Sequence, residues 1–242
     1  MKNFLVKSLF EIKDADWNVK DRSNEIDMYK KYVECHDLSL DSFKRHLKGE
    51  WEYIYISGTF ETIHRALYET FVKIYEVWSD HGPCNILYTD PDTMAIAPVE
   101  IWGRFDKFMM FNYSDPTCFY TKNGYNEKFE HFFNAGVRYF PASMSQETWQ
   151  VGLDMLANWD YQDYNTEQII LNKMLWSQGL KLHEALIPKL AYQGQWLPRD
   201  DVWRQDLWNG CVINDSVILH LHSSRDIDQK LALMKKIAGQ PV

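Results

Sequence analysis

The 242-residue sequence has no apolar run long enough to form a membrane-spanning helix. Such a helix needs about 20 mainly apolar residues, and the apolar stretches here are short. The first ten residues are interrupted by Lys7, which predicts that they are not a secretory signal peptide. These absences predict a soluble protein.

Cysteine is also scarce. The four cysteines, Cys35, Cys84, Cys118 and Cys211, are widely spaced and form no CxxC pair. This pattern excludes a small disulfide-stabilised scaffold and a zinc site of paired cysteines. Reduced thiols and a cytoplasmic location are the expectation.

Clusters of basic residues are missing as well. The sequence has 26 Lys and Arg against 34 Asp and Glu, a net charge of −8. Binding to a phosphate backbone requires clustered positive charge, so nucleic acid is excluded as the main partner. An acidic chain is compatible with a divalent cation that handles an anionic substrate, but many acidic domains bind no metal.

No linker rich in proline, glycine or serine divides the chain, and no internal repeat is present. We therefore expect a single domain over residues 1–242. Hydrophobic residues make up 45% of the sequence, enough for a large core. The ten tryptophans and fourteen tyrosines indicate either an aromatic core or rings that line a sugar-binding cleft.

Short β-rich runs alternate with helical patterns, which predicts an α/β fold with a mostly parallel central sheet flanked by helices. Residues 14–48 are polar and mixed and predict a loop with one or two helices. The predicted strands are Phe4–Phe10, Tyr53–Ser57, Asn85–Thr89, Ala95–Val99, Lys107–Asn112, Phe132–Phe140 and Val217–His222. The predicted helices cover Phe60–Trp78, the region around Trp149–Leu156, a segment that begins near Asn165, and a closing segment after Asp226.

Asp90-Pro91-Asp92 follows an apolar strand directly. Ligands of open α/β sheets bind at the carboxyl ends of strands, and two carboxylates one residue apart can face one Mg²⁺ or Mn²⁺ ion. Pro91 fixes its own φ and restrains Asp90. The same tripeptide also occurs as a structural turn, in which aspartate caps backbone N–H groups.

Four segments together resemble the glycogenin and bacterial galactosyltransferase group of GT-A glycosyltransferases. The four segments lie in the same order as in that group. They are a strand with a DxD motif (Ile86–Asp92, ILYTDPD), an FNAGV strand (Phe133–Val137), a Q..LN element (Asn165–Asn172, NTEQIILN) and a late histidine strand (Ile218–His222, ILHLH). The resemblance covers roughly the last 140 residues well and the first 80 poorly. It implies a GT-A-like fold and transfer of a sugar from a nucleoside diphosphate sugar.

The resemblance also implies a cation site. Asp90 and Asp92 would bind Mn²⁺ or Mg²⁺ and, through it, the nucleotide, and His220 would be the third protein ligand. Side chains two residues apart on a strand share one side, so the predicted strand makes His222 the alternative ligand. The Lys-Pro-Trp segment with which the group binds the diphosphate is absent. Arg225 is the candidate to replace it, because a guanidinium can form a bidentate contact with phosphate oxygens.

The donor sugar would lie against Asn134, Ala135 and Gly136, and the pair Glu167 and Gln168 would contact its hydroxyls and the reacting face. Glu167 stands where the group has aspartate, so its reach differs by one methylene. Each position also has a purely structural interpretation. Asn134 suits a β-bulge or turn, and Gln168 suits a first-turn residue that caps Asn165.

An aromatic segment, Gln193–Gly210, contains Trp196, Trp203 and Trp208, which form either an acceptor-binding loop or a second packing cluster. A retaining mechanism is implied, because the group's sites lack an obvious general base. An inverting enzyme would need a carboxylate base, for which Asp163 or Glu167 is available.

The predicted partners are a nucleoside diphosphate sugar and a hydroxyl acceptor such as a glycan. Two other functions are alternatives. A sugar-nucleotide pyrophosphorylase would carry a glycine-rich basic loop near its N-terminus, which this sequence lacks. A non-catalytic carbohydrate-binding protein would not need Asp90, Asp92 and His220 to converge.

Overall fold

The computed structural model describes residues 1–13, 25–114, 132–156, 166–181, 184, 191–193, 217–221 and 227–241. The strands in these ranges are β1 (Lys2–Ile12), β2 (Glu52–Phe60), β3 (Cys84–Thr89), β4 (Thr93–Ala95), β5 (Met109–Ser114), β6 (Phe132–Phe140), β7 (Ala191–Gln193) and β8 (Ile218–His220). The helices are α1 (Glu25–His46), α2 (Ile63–Asp80), α3 (Gln146–Leu156), α4 (Thr166–Ser177) and α5 (Ile227–Ile237).

The central sheet has five strands in the order β2-β1-β3-β6-β5. β1 pairs in parallel with both β2 and β3, whereas β6 is antiparallel to both β3 and β5. Four strands therefore run in one direction and β6 runs in the other. All six residues of β3 are buried, as expected for a strand covered on both faces. The predicted fold class is confirmed.

Helices cover both faces of this sheet. α2, α3 and α4 pack on one face around the fully buried Trp149, whose ring stacks on Phe140 at a centroid distance of 5.1 Å. α1 covers the other face with Phe43, and Leu47 packs there directly after the helix. Tryptophans on the described elements, such as Trp149 and Trp176, thus pack in or against the core, which is the first of the two interpretations of the aromatic content.

α2 shows why the helical boundaries could be predicted. Thr62 is its N-cap, and the Thr62 hydroxyl accepts a hydrogen bond from the Arg65 N–H at 3.3 Å. The helix ends at His81, just before Gly82 with its left-handed φ of 67°. A cap at the start and glycine after the end are the usual signals.

A second, smaller sheet has the order β4-β8-β7. Thr93 pairs with His220 in the antiparallel β4–β8 ladder, and Gln193 pairs with His220 in the parallel β7–β8 ladder. This sheet brings the last described strand beside the carboxyl end of β3. α5 then packs on α1 and on the small sheet through Leu231 and Met234.

Several predicted elements, β4 and β8 among them, differ in extent from the observed ones. The strand expected over Ala95–Val99 is Thr93–Ala95, and the chain beyond it reaches Pro98, which has no N–H to donate to a ladder. The polar region before Lys48 forms one long helix, α1, over its described part. None of the described helices has the length and apolar character needed to cross a membrane.

Candidate metal and donor-sugar site

Asp90 is held at the carboxyl end of β3 by hydrogen bonds from two directions. Its N–H donates to the Gly136 carbonyl of β6 at 2.8 Å. Its carbonyl accepts from the Thr93 hydroxyl at 2.7 Å, which closes the turn over Pro91. The turn is therefore fixed both internally and to the neighbouring strand, and the Asp90 side chain remains about one-third exposed.

His220 reaches this turn from β8. The Leu221 N–H donates to the Asp92 carbonyl at 2.9 Å, which fixes the strand against the turn. His220 Nε2 lies 3.2 Å from Asp92 Oδ1 and 3.5 Å from Asp90 Oδ2.

One potential ligand atom from each of Asp90, Asp92 and His220 lies within 4.8 Å of the others. Two carboxylate oxygens and one imidazole nitrogen are a donor set that fits a divalent cation such as Mn²⁺ or Mg²⁺. The structure thus brings together the three residues that the resemblance implies as metal ligands.

Gly136 lies directly under the His220 ring. A Cβ built on Gly136 would fall 2.1 Å from His220 Cε1 and 2.5 Å from Nδ1. Real Cβ atoms do not approach other atoms this closely, so the imidazole occupies space that any side chain at position 136 would fill. The sequence suggested that Gly136 contacts the donor sugar; the structure also gives it a role beneath the histidine.

A buried lysine lies under the turn. Lys7 of β1 donates to the hydroxyls of Ser39 and Thr89, each at 2.6 Å, and lies 3.2 Å from the Asp90 carbonyl and 3.3 Å from the Thr93 hydroxyl. Burial lowers the pKa of Lys7 to about 7, and the nearby carboxylates only partly offset this effect. Lys7 therefore joins β1, α1 and the turn at one point.

A second buried lysine contacts the turn from the other side. Lys230 of α5 donates from Nζ to Asp92 Oδ2 at 2.6 Å, and its ammonium lies 5.6 Å from the centre of the Tyr32 ring. Burial lowers the pKa of Lys230, but the attraction of the Asp92 carboxylate outweighs burial and leaves this pKa above its usual value.

Asn134 and Gln168, two of the predicted sugar contacts, are joined by a hydrogen bond. Asn134 Nδ2 donates to Gln168 Oε1 at 3.0 Å, and Asn134 Oδ1 accepts from the Gly136 N–H at 2.8 Å. One turn further along α4, Asn172 exchanges hydrogen bonds with the N–H and carbonyl of Phe133, both at 2.8 Å. The first turns of α4 are thereby bound to β6, and Ala135 lies between Asn134 and Gly136 on that strand.

Glu167 has a different partner, Arg138. Its Oε1 lies 2.7 Å from Arg138 Nη1, and both side chains are almost fully buried. The Arg138 guanidinium also lies 4.0 Å from the centre of the Tyr88 ring. Burial raises the pKa of Glu167, and the positive charge of Arg138 offsets part of this rise.

Sequence reasoning missed Lys7, Arg138 and Lys230 as site residues. For Lys7 and Lys230, the sequence pattern indicated a buried position. Lys7 lies within an apolar strand that is buried, where an unpaired lysine is rare. Lys230 follows Ile227 by three residues and precedes Leu231, so it falls on the apolar face of its helix. Each position indicates a buried lysine that needs an acidic or polar partner.

Several predicted residues lie outside the described residues. They are Arg225, His222, Asp163, Asn165, Asp226, and the tryptophans Trp196, Trp203 and Trp208.

The fold is similar to the folds of solved glycosyltransferases. One is a glycosyltransferase involved in the glycosylation of the major capsid of PBCV-1, with a TM-score of 0.55 and 8% identity over 98% of this chain and 100% of that chain. Another is the bifunctional glycosyltransferase WbbM in its apo form, with a TM-score of 0.56 and 12% identity over 99% of this chain and 50% of that chain. At these identities the likeness concerns the fold alone. No protein-family model and no curated protein matches the sequence.

Proposed function

We propose that the protein is a metal-dependent glycosyltransferase that moves a sugar from a nucleoside diphosphate sugar to a hydroxyl acceptor. The observation that carries this proposal is the convergence of Asp90, Asp92 and His220 at the carboxyl end of β3, in a fold like those of solved glycosyltransferases. A carbohydrate-binding protein without catalysis has no need for three such ligands, which is why an enzyme is preferred.

Asp90, Asp92 and His220 would hold the cation, Mn²⁺ or Mg²⁺. When bound, the ion would supply positive charge at the diphosphate leaving group. Arg225 is proposed as a further phosphate contact, because a guanidinium binds phosphate oxygens in a bidentate manner.

Asn134, Ala135 and Gly136 are proposed to lie along the donor sugar, together with Gln168 and Glu167. The Asn134–Gln168 hydrogen bond supports this assignment, because it fixes both amides beside the cation ligands. Arg138 would keep Glu167 charged and in place. Retention of the anomeric configuration is part of the proposal, as is one domain over residues 1–242.

A cytoplasmic location is also proposed. It is supported by the scattered cysteines, of which Cys35 and Cys84 are buried free thiols. Fractionation of cells that produce the protein checks this point, and recovery from the secreted fraction would contradict it.

The proposal is tested with Asp92→Asn, which keeps the shape of the side chain and removes its charge. A panel of nucleoside diphosphate sugars is screened by thermal shift and calorimetry, with and without Mn²⁺. We expect wild type to bind one donor in the presence of Mn²⁺, and Asp92→Asn to lose at least about tenfold in affinity, or about 1.4 kcal/mol.

Asp41→Asn is the matched control, because Asp41 is an exposed carboxylate on α1. It should bind the donor as tightly as wild type. Donor binding by Asp92→Asn that equals wild type, or wild-type binding that is indifferent to Mn²⁺, would refute the assigned metal site.

A further inference from the structure

The two oxygens of the Asp92 carboxylate face different groups. Oδ1 faces the His220 imidazole at 3.2 Å, on the side where a cation would bind. Oδ2 accepts a hydrogen bond from Lys230 at 2.6 Å. Lys230 is 4% exposed. The protein's own ammonium group therefore already binds one oxygen of a proposed metal ligand.

Among the described residues, Asp90, Asp92 and Lys230 together carry one net negative charge. Asp90 and Asp92 contribute two negative charges, and Lys230 cancels one of them at a contact distance. A divalent cation added to these three groups leaves an excess of one positive charge in a largely buried place, where like charges repel strongly.

We propose that Lys230 competes with the divalent cation for Asp92, so that the cation binds tightly only together with a diphosphate. A diphosphate carries at least two negative charges, which offset the excess left by the cation and the lysine. The protein would thus discriminate against free metal ions and bind the metal–diphosphate pair. This inference rests on the proposed metal site and concerns how that site is regulated.

The direction of one measurement separates this role from simple positioning. If Lys230 competes with the cation, its removal must tighten the binding of the metal alone. If Lys230 only holds Asp92 in a ligating orientation, its removal must weaken that binding. The two roles therefore predict opposite signs for the same substitution.

The test uses Lys230→Met, which keeps the aliphatic stem without the charge. Mn²⁺ binding is followed by electron paramagnetic resonance and calorimetry, for the protein alone and with UDP, GDP or ADP as diphosphate probes. Without a diphosphate, we expect Lys230→Met to bind Mn²⁺ at least about tenfold more tightly than wild type, about 1.4 kcal/mol. With the diphosphate that binds, the two proteins should converge, so the coupling between metal and diphosphate shrinks in the variant.

Three further variants make the result decisive. Lys235→Met removes an equivalent charge from the same helix, where Lys235 pairs with Glu34 at 2.7 Å, and it should leave Mn²⁺ affinity unchanged. Lys230→Arg keeps the charge and should behave like wild type. Lys230→Gln replaces Lys230→Met if the latter does not fold, because its amide still donates a hydrogen bond to Asp92, and the same tightening is expected.

Unchanged or weaker Mn²⁺ binding by a folded Lys230→Met or Lys230→Gln protein overturns the role of Lys230 and leaves the metal site intact. Equal tightening in Lys235→Met overturns it too, because the effect would then be one of overall charge. Absence of Mn²⁺ binding in wild type and every variant, with or without a diphosphate, refutes the proposed metal site itself.

Discussion

At the scale of single residues, the size of Gly136 decides where His220 can lie. The imidazole packs against the bare backbone of β6, at distances that no side chain at this position would permit. The same glycine carbonyl accepts the Asp90 N–H. One residue thus touches two of the three candidate ligands, although it contributes no ligand atom.

Gly136→Ala should therefore displace His220 and weaken Mn²⁺ binding by at least about tenfold, or about 1.4 kcal/mol. Calorimetry of the folded variant measures the loss. Gly179→Ala is the control: its added Cβ meets no atom within 4 Å, but its φ of 68° is strained for alanine. It should lower stability without any change in Mn²⁺ binding. A Gly136→Ala protein with wild-type affinity would show that His220 does not bind the ion.

At the scale of elements, the buried ion pair of Arg138 and Glu167 joins β6 to α4. Breaking a buried ion pair on one side costs about 3–5 kcal/mol, because the remaining charge is left without a partner. Arg138→Met should lower the free energy of unfolding by about that amount, as measured by denaturant titration.

The double variant Arg138→Met with Glu167→Gln removes both charges and should recover most of the lost stability. If the loss of unfolding free energy in the double variant equals the sum of the losses in the two single variants, this account is contradicted. Each side chain would then stabilise the fold through other contacts. Activity of the double variant then reports on Glu167 itself, since the fold is retained.

The contact between His36 and Tyr53, which are not candidate metal ligands, makes the stability of the fold depend on pH. His36 of α1 lies 2.6 Å from the Tyr53 hydroxyl of β2. Burial lowers the pKa of His36, and the nearby Asp37 offsets this only in part. The unfolded chain therefore takes up a proton on His36 at a higher pH than the folded chain does.

It follows that the contribution of His36 to stability is present above its unfolded pKa of about 6.5 and is lost as the pH falls through the folded pKa. The difference in unfolding free energy between wild type and His36→Gln should shrink as the pH is lowered from 7.5 to 5. A difference that stays constant or grows over this range would show that His36 is not held neutral by the fold.

At the scale of the whole molecule, the sequence predicted local features well. The apolar run before Asp90 indicated β3, and the helical spacing of apolar residues from Phe60 to Trp78 indicated α2, because these signals depend on neighbouring residues only. The resemblance supplied the pairing of Asp90 with His220, which no local pattern contains. The predicted ends of β4 and β8 differ from the observed ends. A short strand ends where its partner strand ends, and here the partner is distant in sequence.

The lysines and Arg138 were missed for a related reason. A charged residue is ordinarily exposed, and only the assembled fold shows that Asp92 lies opposite Lys230 and Glu167 opposite Arg138. The periodicity of a sequence indicates which residues are buried or exposed, but it does not identify the partner of a buried charge.

The pairing of β4 with β8 has a consequence for the order of folding. Asp92 and Lys230 are 138 positions apart, and the His220 ladder spans almost as much chain. Closing so long a loop costs entropy before any contact offsets that cost, which slows the formation of distant pairs. β1, β2 and β3 can assemble much earlier, as soon as the chain through Thr89 is available. A newly made chain would therefore bury much of its core before it could bind a cation, and the candidate ligands would meet only after the residues of β8 had left the ribosome.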